Sequence, residues 1–231
     1  MLKKIIKVIS FSALAVSVLS LSACFPENAA YKSIDGYSDV AAAKELYVGL
    51  NSGHFYMQDN ETGEVTEEFA FRYRDDGNLT YFSMGTEGEK VYYEFHNGSE
   101  INYKYKDDSE WSFIGQGDES YRVYDRKNRH PYTTEGVISM NAYAVTDSKV
   151  EEQAEGKKIT FYYDAAQFAE SLSEMGEIQS FESSIWLDSD GYCYRLDQKG
   201  VFEKDGEEVV SDFSMLIDSM NELGELKRPE V

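Results

Sequence analysis

Val65-Thr66-Glu67-Glu68-Phe69-Ala70-Phe71-Arg72-Tyr73 decides how this chain folds. Val65, Phe69, Phe71 and Tyr73 alternate with Thr66, Glu68, Ala70 and Arg72, the period of a strand with one buried face. The same period starts at His54 and returns over residues 79–84, 91–96, 101–105, 111–114 and 121–124. Val91, Tyr93 and Phe95 share one face of their strand. Ile101, Tyr103 and Tyr105 share a face of the next, opposite Asn102, Lys104 and Lys106. The connectors are turn sequences: Asn60-Glu61-Thr62-Gly63, Asp75-Asp76-Gly77-Asn78, Asn97-Gly98 and Asp107-Asp108-Ser109. Asn-Gly supplies the positive φ angles of tight hairpins, and connectors this short force antiparallel neighbours. The region is a meander.

Outward from it the period changes. Val40, Ala43, Tyr47 and Leu50, widened by Leu46, recur at helical spacing. They predict a helix over 38–50, capped by Ser38 or Asp39 and ended by Asn51-Ser52-Gly53. Residues 125–136 break the alternation. Arg126, Lys127, Arg129 and His130 form a basic patch before Pro131, read as a long surface loop, with an anion or partner contact as its functional alternative. Residues 137–150 read as strand. Ile159, Phe161 and Tyr163 form a strand leading into a second helix, with Asp164 as cap and Gln167 in the capping-box relation. Phe168, Leu172 and Met175 lie on one face of that helix, and Gly176 closes it. Strands follow at 181–187, 192–196 and 209–217, the first two joined by Asp188-Ser189-Asp190-Gly191, and 225–231 reads as an edge segment or tail. Helix-then-meander thus occurs twice. The expected class is α+β: one large curled antiparallel sheet with helices covering one face.

The start of the chain carries an address. Lys3, Lys4 and Lys7 precede an apolar run from Val8 to Leu19, and Leu21-Ser22-Ala23-Cys24 follows. This is the layout of a secretory signal. The last four residues resemble the bacterial lipobox, which implies cleavage after Ala23 and a diacylglycerol on the Cys24 thiol. A plain secretion signal and an anchor helix are the alternatives. The expected organisation is a signal over 1–23, a tether over 24–37 and a single domain over 38–231, held at the outer face of a bacterial cell membrane. Without the three signal lysines the chain carries 19 basic against 43 acidic residues, a balance of −24 that repels nucleic acid and anionic headgroups. Lipidation of Cys24 leaves Cys193 as the other cysteine, so no intrachain disulfide is expected.

The order of these features is the basis of a family resemblance. Lipobox, N-terminal helix and Tyr/Phe-rich hairpins come first; Tyr163-Asp164-Ala165-Ala166 then enters a helix, and an aspartate-glycine hairpin follows. This layout resembles the LolA/LppX-like lipoproteins and related Gram-positive lipoproteins. The resemblance implies an incomplete antiparallel barrel whose helix-covered face encloses a cavity for acyl chains or other lipids. Tyr47, Phe71, Tyr93, Tyr103, Phe168, Leu172 and Met175 are the corresponding cavity candidates. With 18 tyrosines in the chain a purely apolar cavity conflicts with the need of each buried hydroxyl for a partner.

No catalytic constellation is legible. His54, His96 and His130 stand in separate regions, outside any zinc or iron spacing. Asp188-x-Asp190-Gly191 begins like a calcium loop, but Tyr192 and Lys199 occupy its fifth and twelfth places, so it reads as a turn. Neither metal nor cofactor is expected. The leading expectation is a non-enzymatic lipid- or amphiphile-binding lipoprotein of open oligomeric state. The alternative is a surface partner- or carbohydrate-binding module using exposed aromatics such as Trp186. The address is testable: Cys24→Ala is expected to abolish palmitate labelling and move the protein from the membrane to the soluble fraction. Retained labelling would refute the lipid attachment.

Overall fold

The computed structural model describes residues 33–87, 90–138, 140–168 and 176–231. Among these residues eleven strands form one antiparallel sheet in the order β6-β5-β4-β3-β2-β1-β11-β10-β9-β8-β7. The strands are β1 (Ser52–Asp59), β2 (Val65–Tyr73), β3 (Leu79–Glu87), β4 (Lys90–His96), β5 (Ile101–Tyr105), β6 (Ser112–Ile114), β7 (Val145–Gln153), β8 (Gly156–Tyr163), β9 (Glu177–Asp188), β10 (Cys193–Lys204) and β11 (Glu207–Asp218). The first six step outward from the centre to one edge. The last five step inward from the other edge until β11 pairs with β1, His54 opposite Asp218 and Asp59 opposite Phe213.

This overturns the α+β expectation. The protein is predominantly a large, open, curled antiparallel sheet, and its described residues include one α-helix, α1 (Tyr37–Val48). Among the described residues no layer of helices covers the sheet. The inner face is covered by α1 together with an irregular crossover, residues 115–144, that carries the chain from one edge to the other. Of the strands expected at 121–124 and 137–150, the first does not form and the second begins only at Val145, as β7. Tyr124, Tyr132, Val137, Ile138, Met140 and Ala144 point into the core from loops and short 3₁₀ turns instead. The second expected helix begins as the 3₁₀ turn Ala165–Phe168, and the rest of that expectation lies outside the described residues.

Helix α1 is positioned at both ends. Gly36, not Ser38 or Asp39, stands at its N-cap with φ 80°. A Cβ there would meet Ile159 Cγ2 at 2.5 Å, so β8 and the helix start approach as only glycine allows. Ile34 and Tyr37, read as the end of a tether, pack against the core. Val40, Ala43 and Tyr47 bury the inward stripe. At the other end the crossover supplies the cations that a helix C-terminus favours. Arg129 Nη1 donates to Val48 O at 3.0 Å and to Thr133 O at 3.1 Å. Arg126 donates to Leu50 O and Asn51 and lies over the Tyr73 ring, 4.0 Å from its centroid. The basic patch is thus a clamp between crossover and helix rather than a free surface.

The outer face of the first meander is covered by residues 219–231. Leu223 N donates to Ser52 Oγ, Arg72 donates to Leu223 O, and Arg228 Nη1 donates to Asn102 Oδ1 at 3.0 Å. Lys104 Nζ reaches Val231 O at 2.7 Å. With both faces covered, Phe95 and Asn102 are as buried as the inner aromatics. Arg129→Met is expected to cost ~1–3 kcal/mol, because it orphans two part-buried carbonyls, that of Val48 at the end of α1 and that of Thr133 in the crossover. Urea unfolding at constant m measures this. Lys127→Met on the same segment, with its side chain in solvent, should leave the midpoint unchanged.

Candidate functional site

Directly paired residues in an antiparallel ladder share a face. One row across the inner face runs from Val150 through Ile159, Ile185, Leu196 and Met215 to Met57, entirely apolar. At β2 its character changes. Met57 pairs with Glu67, beyond which the register places Gly85, Tyr92 and Tyr105. The adjacent row changes at the next strand, from Phe55 and Phe69 to Ser83, Glu94 and Tyr103. The inner face is therefore apolar toward β7 and acidic and phenolic toward β5, with Met57 and Met215 side by side at the boundary.

In the second region the small residues Ser83 and Gly85 of β3 floor an acidic and phenolic trough, which the Tyr92 ring fills at Gly85: a Cβ there would lie 3.1–3.3 Å from that ring. Glu67 and Tyr132 form one wall; Tyr92, Glu94 and Tyr103 form the other, and Tyr103 is 36% exposed. The crossover covers the trough's inner end. Its His130 ring stacks on Phe69 at a centroid distance of 4.7 Å and lies tilted against Tyr81 at 4.8 Å, and Tyr124 meets it edge-on at 4.7 Å.

Each carboxylate is held by a phenol. Tyr132 Oη donates to Glu67 Oε2 at 3.0 Å, and Tyr81 donates to Glu94. Tyr105 Oη donates to Glu87 at 2.5 Å nearer the trough's mouth. Other buried hydroxyls are paired as well: Tyr47 Oη donates to Tyr132 O at 2.6 Å, and Tyr73 Oη donates to Thr133 Oγ1 at 3.1 Å. Tyr73 and Tyr132 thus sew the crossover to the sheet, Tyr47 joins it to α1, and Tyr81 and Tyr105 tie strands together.

Burial is the main electrostatic influence. It raises the Glu67 carboxyl to about 7 against the Tyr132 hydrogen bond, which favours the anion. Glu94 is raised for the same reason. Desolvation pushes His130 down to about 3 and also lowers His96, whose Nδ1 accepts from Gly98 N. Both imidazoles are neutral aromatic plates at pH 7. On the outer face His54 sits between Glu68 (3.1 Å) and Asp218 (2.8 Å), and these hydrogen bonds raise its pKa.

The cavity candidates separate. Tyr47 and Phe71 meet on the inner face with ring centroids 6.4 Å apart, and Tyr103 lies two strands beyond Tyr81 on that face. Tyr93 points to the outer face, stacked on Phe82 at 6.3 Å. Phe168 ends a 3₁₀ turn, and Leu172 and Met175 lie outside the described residues, as do Ala23 and Cys24. The acidic trough was missed by the alternation. Glu67 occupies a core position of β2 but reads as one more solvated acid among many, and what marks it is its place between Val65 and Phe69 on the apolar side of the strand. Trp186 is committed internally: Lys158 and Arg195 lie 4.9 and 5.6 Å from its ring, and its Nε1 donates to Asp197. Cys193 is buried, its thiol pushed up to about 12 by desolvation, so the nucleophilic thiolate is disfavoured. Among the described residues no three His, Cys, Asp or Glu converge as metal ligands, and no helix is long and apolar enough to cross a membrane.

A carboxyl raised from 4.5 to about 7 stabilises the fold fully below pH 4.5 and loses that contribution as pH rises through 7. His130 and His96 act in the opposite sense, losing stability as pH falls below 6.5. Glu67→Gln keeps an acceptor for Tyr132 and removes the ionisation. Relative to wild type it should gain up to about 3 kcal/mol between pH 5 and pH 8, read by chemical denaturation at both. Equal pH slopes would show that Glu67 ionises freely in the folded protein.

No protein-family model matches the chain, and no curated protein matches it in sequence. Similar solved structures include LprF and LppX. LprF from Mycobacterium bovis shares 12% identity at a TM-score of 0.46, over 83% of this chain and 95% of that one. The lipoprotein LppX from Mycobacterium tuberculosis shares 17% identity at a TM-score of 0.45, over 82% and 97%. Below a TM-score of 0.5 the likeness carries no statement about ligand or activity.

Proposed function

We propose that this is a non-enzymatic, lipid-anchored protein of the outer membrane face that holds a lipid or other amphiphile between the sheet and its irregular cover. In this reading residues 1–23 are the signal, Cys24 bears the diacylglycerol, and the following residues tether the body. The observation that carries the binding role is the change of character along one row of the inner face, from Leu196, Met215 and Met57 to Glu67, Tyr92 and Tyr105. A surface that is apolar at one end and polar at the other matches an amphiphile. Methionines at the boundary suit a ligand of variable shape, because the thioether repacks at low cost. The seam lies under the crossover, so an apolar tail would enter beside Met57 while the polar end rests in the trough.

The alternative surface module loses its chosen residues. Arg126, Arg129 and His130 are spent on the helix end and the aromatic stack, and Trp186 lies between two cations. Native mass spectrometry of the protein extracted from its own membrane tests the proposal. The expected spectrum contains, beyond the covalent lipid on Cys24, a noncovalent mass of lipid size that Met57→Trp displaces. A repeatedly unliganded body, with the covalent lipid present, would refute the carrier role and leave the anchor intact.

A further inference from the structure

We propose that the hairpin tip Asn97-Gly98, between β4 and β5, is a self-modification site. There the Gly98 backbone nitrogen displaces the side-chain amide of Asn97, giving a succinimide and then aspartate or isoaspartate. Separate contacts converge on each reacting group. The nucleophile belongs to the peptide group that joins the two residues, and both of its polar ends are engaged. Gly98 N donates to His96 Nδ1 at 3.0 Å, and Arg74 Nη1 donates to Asn97 O at 3.0 Å. A base on the N–H and a cation on the carbonyl of one peptide group both favour its deprotonated form, whose charge rests mainly on that oxygen. The electrophile is Asn97 Cγ. Its Oδ1 accepts from Ser99 N at 2.9 Å, Ser99 Oγ at 3.0 Å and Glu100 N at 2.9 Å. These donors surround the oxygen on which a tetrahedral intermediate places its charge. Gly98 has no side chain to hinder the approach.

A backbone N–H can only donate, so His96 Nδ1 presents its lone pair and the ring proton sits on Nε2. Burial disfavours the imidazolium and leaves a neutral base at pH 7. Around the ring stand Tyr81 of β3, stacked at 5.3 Å, and Tyr121, Arg122 and His130 of the crossover; Glu94, two residues back on β4, is held by Tyr81. In the first step Nδ1 takes the Gly98 proton while the bond from Gly98 N to Asn97 Cγ forms and negative charge gathers on Oδ1. Leu79 O, 3.1 Å from Nδ1, accepts from it while the proton is held there. Collapse restores the carbonyl and breaks the Cγ–Nδ2 bond, and ammonia leaves with the proton from His96. Water then opens the imide. Addition at Cγ leaves aspartate; addition at the main-chain carbonyl of Asn97 leaves isoaspartate. Asn97 and Gly98 are partly exposed, so water reaches them.

Peptide mapping by mass spectrometry of the full-length protein, incubated at pH 7 folded and in urea, tests the inference. The folded chain should lose the Asn97 amide about tenfold or more faster than the unfolded chain. His96→Asn keeps an acceptor near Gly98 N but removes the base, and should bring the folded rate down to the unfolded one. Should that variant not fold, Arg74→Met, at a half-exposed position, removes the cation from Asn97 O and should slow the folded chain as well. Between pH 5 and pH 8 the folded rate should fall only as the imidazole protonates, below the ordinary value of 6.5, and level off above it. A folded rate at or below the unfolded one would show that the tip protects Asn97, and would overturn the site. So would a rate proportional to hydroxide throughout, or folded variants that lose the amide as fast as wild type.

Discussion

One ladder joins the two halves of this molecule. β1 and β11 lie some 160 positions apart in the chain, and their pairing makes one sheet of two meanders. Each meander alone would be a row of local hairpins with a single apolar face. Joined, they carry a continuous inner face from Val150 to Tyr105, and α1 spans the junction with one end on β8 and the other beside β1. The crossover can cover both halves only because they are side by side. Local hairpins form early and cheaply, whereas this closing pair carries the loop entropy of most of the chain.

The cover itself is held by polar contacts directed at specific atoms. Tyr47, Tyr73, Tyr81 and Tyr132 each place an aromatic body in the core and a hydroxyl on a carbonyl, a threonine or a carboxylate. Irregular chain cannot satisfy its own backbone as a helix does, so side chains must do so. Arg129 closes the last carbonyl of α1 and Arg126 that of Leu50 just beyond it, and the phenols close the acids of the sheet. A purely apolar contact between crossover and sheet would be easier to slide.

The sheet was legible because its determinants are local. Alternation at Phe69, Phe71 and Tyr73, and glycine at 63, 77, 98 and 191 with φ between 72° and 89°, mark strands and turns without reference to distant residues. The cover was not legible. Ile138 is buried, and Tyr124, His130 and Tyr132 partly buried, by contacts with strands far away in sequence, at no regular spacing, so their segment resembles a surface loop. The helix start failed for a related reason: Gly36 is required by Ile159, more than a hundred residues on. Glu67 stood in plain view at a core position, but its significance depends on Gly85, Tyr92 and Tyr132, none of which is its neighbour in the chain.

An open sheet ends in two strands with unpaired backbone groups, and such edges invite further strands. Here the two ends are blunted differently. β6 is three residues long, too short to template a ladder, while β7 flanks its inward Val150 with Lys149 and Glu151 and also carries Asp147 and Glu152. A second molecule adding to β7 would set these charges against a copy of themselves in a body already strongly negative. The sheet can therefore remain open, and its inner face reachable from the side, without growing by one molecule pairing onto the next.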